Sequence, residues 1–205
     1  MAKLTLEKAQ GILKKHVTEK HLLLHAQAVS AAMEAMGEYF QEDAAHWAAI
    51  GYLHDVDYEK YPEEHCQHVR ELLSGEDVEE DDIRAILSHG YGLCTEECEP
   101  LTNLEKSLFT VDELTGIIMA AALMRPTGIE DMEVKSLKKK FKDKSFAAKC
   151  NREVINKGFA LLNLEANTVM QCCIEGMRKY KDQLGIGAKQ EMRRRKKFAV
   201  RRKTA

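Results

Sequence analysis

This sequence has little of what strands and turns require. Among 205 residues there are only three prolines, and runs in which β-branched residues alternate with polar ones are almost absent. That pattern excludes a β-rich architecture and leaves helices throughout, built from abundant Ala, Leu, Glu and Lys. No apolar run approaches the roughly 18–20 residues that cross a bilayer, and the N-terminal MAKLTLEKAQ contains no apolar signal-peptide core. The expectation is a protein without membrane contact that stays in the cytoplasm. The six cysteines are irregularly spaced with no CxxC pair. This argues against a disulfide framework or a cysteine zinc site and fits free thiols in a reducing compartment.

Charge of one sign is missing from the whole but not from its parts. The net charge is −2, yet residues 186–205 carry nine Lys or Arg against the single acid Glu191, leaving −10 for residues 1–185. Two parts are therefore expected: a helical domain over 1–185 and a basic, disordered tail over 186–205, too poor in apolar residues to offset ordering entropy. The tail is suited to non-specific contact with nucleic acid through counterion release.

Periodicity and capping signals set out the helices. The first covers residues 5–16, and Thr18 caps a second that runs to Met36 and closes with Gly37 at its C′ position. Asp43 caps a third, AAHWAAIGYLHD, which is apolar on nearly every side and so belongs at the centre of a bundle. A fourth starts at Pro62 and stops before Ser74-Gly75, and a fifth spans about 79–88. HGYGLCTEECEP reads as a loop. Thr102 and Glu105 form a capping box that opens a long helix to Met124. Further helices are expected at about 132–142, 147–158 and 166–183.

Several polar residues sit on faces where such helices bury carbon. His25 lies among Leu22, Val29, Ala32, Met33 and Met36, His54-Asp55 ends the buried third helix, and Asp112 borders the stripe of Leu104, Leu108, Val111 and Thr115. Two imidazoles and two carboxylates from three helices thus point inward. A buried unpaired carboxylate costs several kcal/mol, and one divalent cation shared by all four would remove that cost. Blander readings exist for each: a hydrogen-bonded core histidine, a polar helix end, or an Asp112 paired with Lys106 or Arg125. The ordered series His, His-Asp, Asp across one domain favours the metal.

That series, with His89 in IRAILSHGYG, resembles the HD superfamily of metal-dependent phosphohydrolases, and more closely a bacterial branch described only as predicted HD hydrolases. The likeness extends over about residues 15–180. It implies an all-α HD-domain bundle with His25, His54, Asp55 and Asp112 on a metal and His54 and Asp55 as the catalytic pair. It also implies a second ion bridged by Asp55 and held by His89 and either His65 or His68, of which His65 is preferred. The residues after the pair, Val56-Asp57-Tyr58, depart from the Lys or Gly common in that family, so substrate contacts made there do not transfer. Asp57 is expected to cap a turn rather than assist the metal.

A mixed His and carboxylate set suits Mn, Fe, Co, Ni or Zn, as one or two ions. The implied activity is hydrolysis of a small phosphorylated substrate, such as a nucleotide, by a metal-activated water. Arg125 and Arg152 are the expected phosphate contacts, while the KKKFKDK run reads as a solvated face. Two alternatives use the same residues: a di-iron oxygenase, which needs all six ligands, and a non-enzymatic, metal-clamped nucleotide-binding module.

Overall fold

The computed structural model describes residues 3–189. Among them the chain is all-α, and the only strand-like pairing is an isolated bridge between Tyr91 and Thr95. Its helices are α1 (Leu6–His16), α2 (Lys20–Phe40), α3 (Ala44–Leu53), α4 (Val69–Leu73), α5 (Glu80–Ser88), α6 (Asn103–Met124), α7 (Val134–Lys142), α8 (Arg152–Leu162), α9 (Ala166–Lys179) and α10 (Lys181–Leu184).

The bundle is layered about α2 and α3. Every residue from Trp47 to Leu53 is buried, as the uniformly apolar third helix requires. Asp43 starts α3 by accepting a hydrogen bond from the His46 N–H at 3.1 Å. The close approach of α3 to α2 needs Gly51, where a Cβ would come within 2.8 Å of Met33 Cγ and 3.1 Å of the Val29 carbonyl. On its other side α2 packs on α9, and α6 packs on α2 and α8. Trp47, Phe109, Leu53, Leu108 and Leu114 are fully buried between these layers. Each contributes about 1.5–3 kcal/mol over an exposed position.

Gly37 does not end α2, which continues to Phe40 and closes on Gln41 in the left-handed region. The glycine instead admits the neighbouring helix, since a Cβ there would lie 2.8 Å from Ala44 Cα and 3.1 Å from the Trp47 ring. The N-cap position of α2 falls to Glu19, while the Glu59 carboxylate accepts hydrogen bonds from the N–H groups of Thr18 and Glu19. The expected fourth helix is broken in two. A 3-10 turn over Pro62–Glu64 is followed by residues 65–68 outside any helix, with Cys66 at φ 69°, and only then by α4. A buried non-glycine residue in that conformation costs about 1–2 kcal/mol.

The long helix begins as expected, with the Thr102 and Glu105 capping box complete. It also corrects the expectation about apolar runs: α6 is long and apolar enough to cross a membrane by length and composition, although 61% of its most apolar window is buried in the protein. Residues 147–151 lie outside any helix, and α8 starts at Arg152 because the Asn151 side chain caps Glu153 and Val154. The body also runs past Gly185. Ile186 is buried and accepts a hydrogen bond from the Ile129 N–H at 2.8 Å. The remainder of the expected basic tail, from residue 190, lies outside the described residues.

Candidate metal centre

Four of the eight histidines meet. His25 comes from α2, His54 from the C-cap of α3, His65 from the break before α4, and His89 from the C-cap of α5. Asp55 follows His54, and Asp112 projects from the middle of α6.

The histidine rings are oriented by acceptors behind them. A carbonyl can only accept, so the 2.8 Å contact between His54 Nδ1 and Gly51 O, and the 2.5 Å contact between His89 Nδ1 and Ile86 O, put the N–H on Nδ1 in both rings. His65 donates from Nδ1 to Asp57 Oδ1 at 2.8 Å. Each ring then presents the lone pair of Nε2 to the centre.

What these nitrogens face is negative. Asp112 Oδ1 lies 2.9 Å from His25 Nε2 and 3.4 Å from His54 Nε2. Asp55 Oδ1 lies 3.3, 3.4 and 3.5 Å from Nε2 of His54, His65 and His89, while Oδ2 lies 3.5 Å from His25 Nε2. The nitrogens approach one another as well, 3.2 Å between His25 and His54 and 3.0 Å between His65 and His89. Bare lone pairs at that separation repel unless something positive lies between them. Donors about 2.1 Å from a common ion are separated by about 3.0 Å at right angles and about 3.4 Å in a tetrahedron. The observed separations of 2.9–3.5 Å match that range.

The residues therefore form groups that could hold a metal ion: His25 with His54 and Asp55, His54 with His89 and Asp112, and His65 with Cys66 and His89. Asp55 stands between the pair His25/His54 and the pair His65/His89. Its Oδ1 faces His54, His65 and His89 and its Oδ2 faces His25, so one carboxylate reaches both pairs.

Protonation follows the same geometry. Burial opposes charge on His25 and His54, but Asp112 and Asp55 outweigh it and raise both, His54 well above the usual value. Burial likewise opposes ionisation of Asp55 and Asp112, and the facing imidazoles overcome it, holding both well below the usual carboxylate range. The carboxylates thus favour the protonated imidazoles, and the imidazoles the ionised carboxylates.

His65, not His68, joins this set. The His68 ring stacks on Tyr61 with centroids 3.8 Å apart and contacts Glu64 and Glu71, facing away from the cluster. Asp57 both caps and supports: it is fully buried, accepts the His68 backbone N–H at 3.2 Å, and holds His65 through Nδ1.

Neither arginine joins the centre. Arg125 is the C-cap of α6, roughly 20 Å along the helix from Asp112, and binds Asp131 Oδ1 at 2.6 Å and Gly128 O at 3.1 Å. The Arg152 guanidinium makes five hydrogen bonds, to the carbonyls of Phe141, Asp143, Phe146, Ala147 and Cys150. A guanidinium has five N–H donors, so none is left for a phosphate.

The cluster forms the floor of a cavity of about 500 Å³. Among the described residues, the one Lys or Arg lining it is Lys149, which the sequence pattern did not single out. Leu22, Tyr58 and Leu93 give it an apolar side. Glu113 also lines it, its carboxyl raised by burial although the Asn151 N–H binds it at 2.9 Å. Cys94 completes the rim, its thiol lowered to about 6, chiefly by a hydrogen bond from Cys66.

No family model, curated protein or solved structure matches this chain.

Proposed function

We propose that this protein is an HD-type, metal-dependent hydrolase of a small phosphate ester, with one or two first-row transition ions held by His25, His54, Asp55, Asp112, His65 and His89. The observation that supports it is the convergence of four histidine Nε2 atoms and two carboxylates at ligand-to-ligand distances, with Asp55 reaching both histidine pairs. The reaction class comes from the resemblance seen in the sequence. A bound ion supplies an acidified water near neutral pH and neutralises phosphoryl oxygens.

The chain's own residues supply the rest. Asp55 opens on the cavity with His54 buried behind it, and Lys149, which lines the same cavity, is the cation available to a phosphoryl oxygen. Glu113, whose carboxyl is raised by burial and lines the cavity, is the group available to give a proton to the departing alkoxide. Leu22, Tyr58 and Leu93 offer apolar surface to the organic group. A cavity of this size takes a substrate as large as a nucleotide.

The test is metal analysis of protein purified without chelator, followed by a panel of phosphate esters and nucleotides assayed with the metal found. Turnover lost on chelation, restored by that metal and abolished by His54→Ala supports the reading. Lys149→Met should raise KM at unchanged metal content. A metal-loaded protein that turns over no ester with any first-row ion would refute it.

The complete six-donor set also suits paired irons in oxygen chemistry. Substrate-dependent oxygen consumption by the iron-loaded protein, without phosphate release, would favour that second reading.

A further inference from the structure

Beside the metal centre lies a feature the hydrolase reading does not use, the meeting of two thiols across Gly90. A Cβ on Gly90 would lie 2.5 Å from Cys94 Sγ and 2.6 Å from Cys66 Sγ. Gly90 is not among the residues with positive φ, so its backbone makes no demand for glycine. What the missing side chain provides is room for two sulfurs. Cys94 reaches this point through a tight turn in which the N–H groups of Leu93, Cys94 and Thr95 all donate to Gly90 O at 3.0–3.2 Å. Cys66 reaches it from the break before α4, in a left-handed conformation that non-glycine residues seldom adopt.

The two sulfurs differ in access. Cys66 is 2% exposed, whereas Cys94 is half-buried and lines the cavity above the metal ligands. A small oxidant entering the cavity meets Cys94 first and finds Cys66 behind it. The pair also touches the centre: Cys66 follows His65 in the chain, and its Sγ lies 3.9 Å from His89 Nε2, within ligand range of the position held by His65 and His89.

We propose that Cys66 and Cys94 form a reversible dithiol–disulfide site, oxidised by hydrogen peroxide, whose closure weakens the metal position held by His65 and His89. The Cys94 sulfur attacks one peroxide oxygen, the O–O bond breaks, and the thiol proton leaves with the departing oxygen as water. The resulting sulfenic acid at Cys94 is attacked by Cys66 sulfur. The S–O bond breaks, and the released hydroxide takes the Cys66 proton as a second water. Two thiols are oxidised and one peroxide is reduced. Reopening consumes two electrons from a dithiol reductant. Closure draws Cys66 toward Cys94, and with it the adjoining His65, while removing a soft donor from the second position.

The consequence for the metal rests on the reading above, but the covalent linkage does not, and the experiment separates them. The full-length protein, with and without added manganese or zinc, is treated with hydrogen peroxide. It is then examined by intact mass, by peptide mapping without reduction and by metal analysis. Loss of two hydrogens, a peptide joining Cys66 to Cys94, and release of about one metal equivalent per chain that rebinds after dithiothreitol are expected. Cys94→Ser should abolish the linkage and the peroxide-driven metal release, whereas Cys172→Ser should keep both. Cys66→Ser is the companion variant, and Cys94→Ser carries the test if that strained position does not tolerate serine. A linkage from Cys94 to Cys98 or Cys150 instead, overoxidation of Cys94 without linkage, or linkage at unchanged metal content would overturn the proposal. A protein that forms the linkage yet binds no metal before oxidation would count against the metal centre and against its control, while leaving the covalent site standing.

Discussion

If the centre holds two ions as proposed, Asp57→Asn should separate their positions. Asp57 is fully buried and touches no other member of the cluster than His65, whose Nδ1 it accepts at 2.8 Å, while its second oxygen accepts the His68 N–H at 3.2 Å. Asparagine keeps the shape and one acceptor, but its NH2 then opposes whichever donor it meets. If the backbone N–H keeps the oxygen, His65 loses its acceptor, its tautomer is no longer fixed, and its Nε2 lone pair no longer points at the metal. Losing such a support costs about 10–100-fold in metal affinity, or about 1.4–2.7 kcal/mol. His25, His54 and Asp112 have no contact with Asp57, so the first position should bind as in the wild type. The assay is a chelator-competition titration resolving two binding steps, run beside thermal unfolding of the metal-free protein. The expected result is a second step weakened tenfold or more with an unchanged first step. Two unchanged steps would refute the reasoning, and parallel weakening would show that Asp57 acts on the fold rather than on His65.

Four other outcomes follow from the same contacts. His65→Ala should lose about one metal equivalent while His68→Ala keeps the full complement, read by metal analysis. Arg152→Ala removes five hydrogen bonds to carbonyls and should lower stability by about 2–4 kcal/mol, read by urea unfolding, while KM for a phosphate substrate stays unchanged. Gly176→Ala places a methyl against the Ala31 carbonyl where α9 crosses α2 and should cost about 1–3 kcal/mol in the same assay. Metal-induced stabilisation should grow as pH rises. The raised His25 and His54 stabilise the metal-free fold below the unfolded histidine value of about 6.5, and that contribution is lost as pH climbs through their higher folded values. The lowered Asp55 and Asp112 contribute above about 3.9 and lose it only as pH falls through their folded values. Metal competes with the histidine protons, so the rise in Tm on adding metal should be larger at pH 8 than at pH 6. A shift independent of pH would contradict the assignment of histidine ligands.

The parts legible in the sequence are those written in side-chain periodicity and local caps. The uniformly apolar third helix placed His54 and Asp55 at a buried end, and the Thr102–Glu105 box fixed the register that turns Asp112 inward. Other features depend on backbone shape that no side-chain pattern records. Arg152 reads as an available cation because its five acceptors are main-chain carbonyls of a turn, equally present in any sequence. Lys149, Glu113 and Cys94 meet over the cavity only because three separate segments fold toward it. Gly37 reads as a helix stop because the close approach of Ala44 and Trp47, which requires a glycine, is tertiary.

The interruption between the Pro62–Glu64 turn and α4 has a consequence for anyone engineering this chain. The segment carries good helix formers on both sides, and Cys66 in its left-handed conformation is the place where a stability-guided redesign would intervene first. Replacing Cys66 by alanine or glutamate to extend α4 backward would relieve local strain and raise helicity. It would also turn His65 off Asp57 and away from Asp55. Thermal tolerance and the placement of His65 therefore pull this stretch of chain in opposite directions, and variants selected only for heat resistance should accumulate changes here at the expense of the contacts His65 makes with Asp57 and Asp55.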